Sequence, residues 1–256
     1  MKRLRDVAVA CRHAQHDLIC DRIEPWEHGT HLRATRYPTY YDFNCLRLEH
    51  GQPLAGDLIK MAEDLQADLD HRKIEIEDEA LGELLRPAFH AMGWRSARLV
   101  WMVLEGDPDA PAGEYEEVAF RDIRQLRAEW ANDFTPDEIA SFQPVEEEVS
   151  ERLRCRTFVA HVDGRPAAFV LFSEAAREIR LVYTSPAARG RGLARVLVGA
   201  AAREIGEHTV IAADDEDTPK RLYERIGFRP AWTMWEMTRR PGDVGVGAAG
   251  DPERIT

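Results

Sequence analysis

The sequence predicts an α+β fold arranged as two tandem domains, and three observations carry that expectation. Short apolar alternations that read as strands recur between amphipathic helical runs. The second half opens with an antiparallel hairpin signal, Asp163-Gly164-Arg165-Pro166, so its sheet is expected to be mixed and mostly antiparallel, flanked by helices. A helix–glycine–aromatic–strand unit occurs twice, with Gly93 and Gly227 134 residues apart, a spacing suited to a duplicated domain.

The chain has 256 residues, 44 % hydrophobic and 31 % charged, enough to bury a core without disulfides or metal. Its 34 basic and 46 acidic residues leave a net charge of -12, a poor footprint for nucleic acid or an anionic membrane. Cys11, Cys20, Cys45 and Cys155 are too few and scattered for a disulfide framework. Asp6 and Arg12 interrupt any apolar run near the start, and no stretch approaches a membrane span. A cytoplasmic protein, monomeric or homodimeric, is expected.

The elements follow in order. Leu32–Arg36, Phe43–Leu48, Lys73–Glu77 and Ala97–Leu104 read as strands, with helices over Asp57–Leu69 and Ala80–Met92. Residues 105–114 are rich in Pro, Gly and Asp and read as a linker between a domain at 1–104 and one at 115–240. In the second domain Glu117–Phe120 reads as a strand, Ile123–Trp130 as a helix, and Pro136–Leu153 as a helix that Pro144 could break. Strands Thr157–Val162, Ala167–Phe172 and Glu178–Thr184 come next, the last with Ile179, Leu181 and Tyr183 on one side. Helix Leu193–Glu204, strand Thr209–Ala213, helix Pro219–Ile226 with a Thr218 cap, and strand Ala231–Thr238 complete it. The glycine-rich tail 241–256 is expected to be disordered.

The most informative segment runs from Val182 to Ala194: strand, proline turn, Arg189-Gly190-Arg191-Gly192, then helix start at Leu193. Two glycines permit backbone angles that other residues avoid, so successive amides at the helix opening can converge on an anion. Ala194 keeps the helix surface small, while Arg189, Arg191 and Arg195 supply local positive charge. A pyrophosphate fits best. No Gly-Lys-Ser/Thr follows, which excludes a Walker loop.

Here the sequence resembles the GNAT superfamily of acetyl-CoA-dependent N-acetyltransferases. Arg189-x-x-Gly192-x-Ala194, with Pro186 three residues earlier, resembles the family's phosphate-binding motif. Leu222-Tyr223-Glu224-Arg225-Ile226-Gly227-Phe228 resembles its second motif at the normal distance. The resemblance covers about residues 114–240, and the weak repeat makes the first half similar to a degenerate copy, as in tandem GNAT proteins.

The resemblance implies a GNAT fold and acetyl transfer from acetyl-CoA to a primary amine of a small molecule, by direct attack and without metal. The backbone of Val182, Tyr183 and Thr184 would pair with the pantetheine arm, and the amides of Arg189, Gly190, Arg191, Gly192, Leu193 and Ala194 would cradle the pyrophosphate. Tyr223 sits where the family places the acid that protonates sulfur. Glu216 stands where the family often has Asn, and Lys220 is expected to compensate through the phosphates. Glu178 is the candidate general base, with Glu174 and His161 as comparable choices. In the first half the same offset brings Ala55, Leu58, Lys60 and Phe89 to the positions of Arg189, Gly192, Ala194 and Tyr223, so the chemistry is lost there. An acyl-CoA sensor without turnover and a peptide or protein amine acetyltransferase remain open as alternatives.

Other signals are weaker. Cys11, His13, His16 and Cys20 have donor chemistry for zinc but no familiar zinc spacing. Tyr37-Pro38-Thr39-Tyr40-Tyr41 reads as a packed strand entry, and Glu146-Glu147-Glu148 as a solvated helix face.

Overall fold

The computed structural model describes residues 2–131, 135–214 and 219–243. In chain order the elements are α1 (Lys2–Ile19), β1 (Arg22–Trp26), β2 (Gly29–Arg33), β3 (Asn44–Leu48), α2 (Ala55–Leu65), β4 (Arg72–Ile76), α3 (Glu79–Ala91) and β5 (Arg95–Leu104). Then come β6 (Glu116–Val118), α4 (Arg124–Trp130), α5 (Pro136–Arg152), β7 (Cys155–Val162), β8 (Arg165–Ser173), β9 (Glu178–Thr184), α6 (Leu193–Ile205), β10 (Val210–Asp214), α7 (Pro219–Ile226) and β11 (Phe228–Arg239). This is the α+β architecture that the sequence predicts.

Two units interleave along the chain. The first holds residues 1–18, 101–212 and 218–231; the second holds 19–100, 213–217 and 232–256. A cut at 105–114 would therefore separate α1 from the unit in which it packs.

In the first unit the strand order is β5-β10-β9-β8-β7-β6. The hairpin between β7 and β8 turns on Asp163 and Gly164, both with positive φ (51° and 72°), the geometry that matches the right-handed twist of the strands it joins. Phe169 and Leu171 on β8 and Leu181 and Tyr183 on β9 form one apolar face, which Ile123 and Leu126 cover from α4 and the turn before it. Val170 and Val182 alternate to the opposite face. Helix α6 packs on the same two strands through a side rich in small residues, with Leu197, Val198, Ala200, Ala201 and Ala202 buried.

In the second unit the order is β1-β2-β3-β4-β11. Strands β1, β2 and β3 pair antiparallel, β3 and β4 pair parallel, and β11 closes the set antiparallel to β4. The two units share an order of pairing: two antiparallel neighbours, then a parallel pair joined by a helix. Leu46, Leu48, Leu58, Ile74, Phe89 and Trp235 build its core.

Several expectations change. Helix α1 and strand β1 carry no helix or strand assignment in the sequence reading. The buried stripe of α1 is Ala8, Cys11, Arg12, Gln15, His16 and Ile19, helical in spacing but too polar to register as apolar periodicity. Helix α5 runs unbroken through Pro144. The turn Asp163–Pro166 is shorter than expected, since Arg165 and Pro166 already belong to β8. Ile179 does not share a face with Leu181 and Tyr183. Leu171 opposes Leu181 whereas Phe172 opposes Ile179, so Arg180 is an extra residue that reverses the alternation.

Glu146 is not a solvated charge: it is 2 % exposed and accepts from Arg127 at 2.6 Å. Tyr37 and Tyr40 are buried and Tyr41 stacks on His71 at 3.8 Å, the packed entry expected of that cluster. Cys11 donates to the Ala176 carbonyl at 3.1 Å and Cys20 to that of Phe43 at 3.5 Å. The Thr218 cap and the tail beyond Asp243 lie outside the described residues.

His71 gives a pH test of the second unit. Its ring is buried against Tyr41, with Nε2 3.0 Å from the Asn44 carbonyl, and burial lowers its pKa from 6.5 to about 4. The folded form resists protonation, so stability is complete above about pH 6.5 and declines as pH falls toward 4. Chemical denaturation between pH 7.5 and 4 is expected to show a loss of about 3 kcal/mol that His71→Gln removes.

Candidate functional site

The site is built where β9 parts from β10. The two strands run parallel and pair only at Val210–Glu178 and Ile211–Ile179. Beyond that point the β10-facing edge of residues 180–184 has no strand partner among the described residues, while the other edge stays bonded to β8 through Thr184. The bulge at Arg180 coincides with the parting, as expected of an inserted residue that bends its strand. The result is an open backbone edge carrying Val182, Tyr183 and Thr184, the residues expected to meet an extended ligand. Thr184 Oγ1 is buried with no hydrogen-bond partner.

Past Thr184 the chain makes a short 3-10 turn, Pro186–Ala188, and then Gly190 and Gly192 at φ values of 77° and 78°. Gly192 caps α6 in the left-handed conformation, with no side chain capping the helix. The first protein-bonded amide of the helix is that of Val196, which donates to Gly192 O at 3.2 Å. The amide of Arg189, expected to join the cradle, instead donates to Pro186 O at 3.3 Å and closes the 3-10 turn. Among the described residues no protein acceptor takes the amides of Gly190, Arg191, Gly192, Leu193, Ala194 or Arg195. A Cβ placed on Gly190 or Gly192 meets nothing within 4 Å. Six unbonded donors therefore lie at a helix N-terminus with open space beside both glycines, an arrangement suited to a polyanion.

The arginines are less uniform than the sequence suggests. Arg189 Nε donates to the Thr184 carbonyl at 3.4 Å, and Arg191 is exposed. Arg195 turns away to Asp109, 2.9 Å from its carboxylate. The segment expected to be a plain linker is in fact a strap on α6 and α7. Asp109 N donates to Ile226 O at 2.8 Å, and a Cβ on Gly199 would fall 2.2 Å from Ala110 Cβ. Gly199 is the sequence signal for that strap: a glycine in mid-helix with a crossing chain above it.

Tyr223 lies on α7, 5 % exposed, with its ring edge toward Phe228 at 6.2 Å. Lys220 is on the same helix, one turn earlier. Glu178 begins β9, is 6 % exposed, and sits 3.0 Å from Arg180, whose guanidinium also donates to Gln15 of α1 at 3.3 Å. Glu174 is held by Arg156 at 2.7 Å, and His161 is 4.0 Å from Glu116. Glu216 lies outside the described residues.

Glu129 and its partner Ser185 carry no signal in the sequence. Glu129, on the last turn of α4, accepts from Ser185 Oγ at 2.7 Å and from Tyr183 Oη at 3.4 Å. Partial burial and the Glu129 carboxylate raise the Tyr183 pKa, so the phenol stays a donor. No local pattern marks Glu129, because the contact spans 56 residues of sequence.

The second unit lacks each of these features. Strands β3 and β4 stay paired at Leu46–Ile74, Arg47–Glu75 and Leu48–Ile76, and Glu77 N adds a bond to Leu48 O. Helix α2 is capped by Leu54 in place of glycine, and Leu54 O accepts from Asp57 and Leu58. By helix start the counterpart of Gly192 is Leu54, four residues earlier than the offset of the glycine–aromatic repeat suggests.

Residues 154–230 match the family model described as an acetyltransferase (GNAT) domain. No curated protein matches the chain. Among solved structures it is similar to a conserved protein of unknown function from Staphylococcus epidermidis, with a TM-score of 0.68 and 15 % identity over 87 % of this chain and 95 % of that one. It is also similar to a GCN5-related N-acetyltransferase from Kribbella flavida, with a TM-score of 0.57 and 18 % identity over 91 % and 96 % of the two chains. At these identities the likeness is one of fold, and it extends across both units.

Proposed function

We propose, from the match of residues 154–230 to the GNAT acetyltransferase domain, that the chain transfers an acetyl group from acetyl-CoA to a primary amine of a small molecule. The observation that carries this reading is the open edge of β9 running directly into six unpaired amides at the start of α6. An extended amide-bearing arm ending in a pyrophosphate complements both parts: strand-like pairing along Val182–Thr184, then anion binding by the amides from Gly190 to Ala194. Arg191 and Lys220 add positive charge around the phosphates. GNAT enzymes use acetyl-CoA generally.

The reaction follows from the chemistry of a thioester. The neutral amine attacks the carbonyl carbon, the C–S bond breaks, and the nitrogen releases a proton as the amide forms. Glu178 is the assigned acceptor for that proton; one of its oxygens accepts from Arg180 and the other has no hydrogen-bond donor among the described residues. Tyr223 is the assigned donor to the departing sulfur and is reprotonated from solvent. The second unit, with its paired strands and no glycine cap at its helix start, serves as structure. The net charge of -12 favours a cationic acceptor over an anionic one.

Acetyl-CoA titration by calorimetry, followed by thiol release across an amine panel, tests the proposal. Binding with turnover supports it, binding without turnover indicates a sensor, and no binding removes it. Gly192→Glu places a carboxylate against the pyrophosphate. Repulsion of about 3 kcal/mol is expected, so acetyl-CoA affinity should fall roughly a hundredfold. Open space around this position limits the cost to folding to about 1–2 kcal/mol of backbone strain, which a melting curve would show. Tyr223→Phe should lower kcat about tenfold or more while acetyl-CoA affinity stays within about threefold. An unchanged kcat would return Tyr223 to a purely structural role.

A further inference from the structure

We propose that Glu129 binds a positively charged group of the acceptor, distinct from the amine that becomes acetylated. The inference rests on the acetyl-transfer reading above and specifies its substrate class: small amines that carry a second cation.

The argument starts from how firmly Glu129 is held. Leu126, 4 % exposed, fixes α4 on the Leu181 and Tyr183 face of β9. One residue on, Arg127 is tied to buried Glu146 at 2.6 Å and stacks on Trp130 at 3.9 Å. Glu129 thus projects from a helix end whose neighbours on both sides are immobilised. Its own carboxylate is then oriented by two hydroxyls, Ser185 Oγ at 2.7 Å and Tyr183 Oη at 3.4 Å, both on Oε2. Oε1 has no protein partner among the described residues.

Charge and orientation together distinguish it: Glu114, Glu151 and Glu224 also lack an arginine partner, but only Glu129 of these four is held by two hydroxyls among the described residues. In the same unit Glu117, Glu146, Glu147, Glu174, Glu178 and Glu204 all pair with arginine. Glu129 has no basic partner within 4.0 Å among the described residues. The charge of Arg189 reaches the Tyr183 hydroxyl, but its Nε is committed to the Thr184 carbonyl. A preoriented, uncompensated carboxylate with one oxygen open to solvent complements an ammonium or guanidinium group.

Position and chemistry set its role. Tyr183 and Ser185 stand at the end of the open edge of β9, beside the place assigned to the pantetheine arm. A carboxylate that binds an ammonium stabilises the protonated amine, and a protonated amine has no lone pair for attack. The group held at Glu129 is therefore the cation that does not react.

Paired probes test this: 1,5-diaminopentane, with a second cation, and 1-aminopentane, without one. In the wild-type protein kcat/KM for the diamine should exceed that for the monoamine by about tenfold, the value of one charge-assisted contact. Glu129→Gln should abolish that preference, mainly through the diamine's KM, with monoamine turnover and acetyl-CoA affinity within about twofold of wild type. Glu129→Asp should retain part of the preference. A wild-type preference that survives in Glu129→Gln, equal rates for the two probes in the wild type, or acetyl-CoA binding with turnover of neither probe would each overturn the assignment. Absence of acetyl-CoA binding in the wild type would instead overturn the acetyl-transfer reading, and this inference with it.

Discussion

Everything the first unit offers a ligand follows from the loss of pairing between β9 and β10 after two residue pairs. A parallel pair buried within a sheet normally satisfies its backbone along its whole length, because an unpaired amide or carbonyl away from water is costly. Here the extra residue Arg180 bends β9 at the point of departure, and the strand beyond keeps its shape because its other edge remains bonded to β8 as far as Thr184. The open edge is thus a rigid feature bounded on one side. The polypeptide then turns through two left-handed glycines into α6, so unpaired strand groups and unpaired helix amides lie in sequence along a single path.

The second unit shows what the same topology does without that departure. Its parallel pair stays closed through Leu48–Ile76, and the carbonyl of Leu54 takes up amides of the first turn of α2. No left-handed glycine caps the helix, and Leu58, on its first turn, is buried in the core. With the strand edge closed and two of the first-turn amides taken up by Leu54, little is left to offer an extended ligand. The two units differ less in their elements than in whether one strand edge and one helix start remain available.

How much of this the sequence revealed depends on the range of the interaction. The glycine turn, the Asp163-Gly164 hairpin and the bounds of β9 and α7 were legible because each is governed by adjacent residues with special backbone requirements. The Arg180 bulge was not, since an inserted residue leaves no local mark and shows only in the register against β8; its effect on Ile179 was therefore missed. Helix α1 was hidden because half of its buried stripe is polar: Arg12, Gln15 and His16. Glu146 looked solvated in an acidic run, because its partner Arg127 lies 19 residues away on another helix. Ser185 and Glu129 escaped for the same reason.

The charges around the turn sharpen the account of anion binding. Three arginines near the glycines suggest that side-chain charge does most of the work, yet Arg195 is bound to Asp109 and Arg189 reaches back to Thr184. With a net charge of -12 on the whole chain, a flexible cation on the surface is drawn to the many carboxylates as readily as to a phosphate. Backbone amides cannot be diverted in this way, because the helix fixes their direction and nothing else in the first turn of α6 accepts from them. Anion affinity at this site is accordingly a property of chain conformation more than of side-chain charge. An acidic protein can hold an anionic ligand on those terms while its field still favours cations at Glu129.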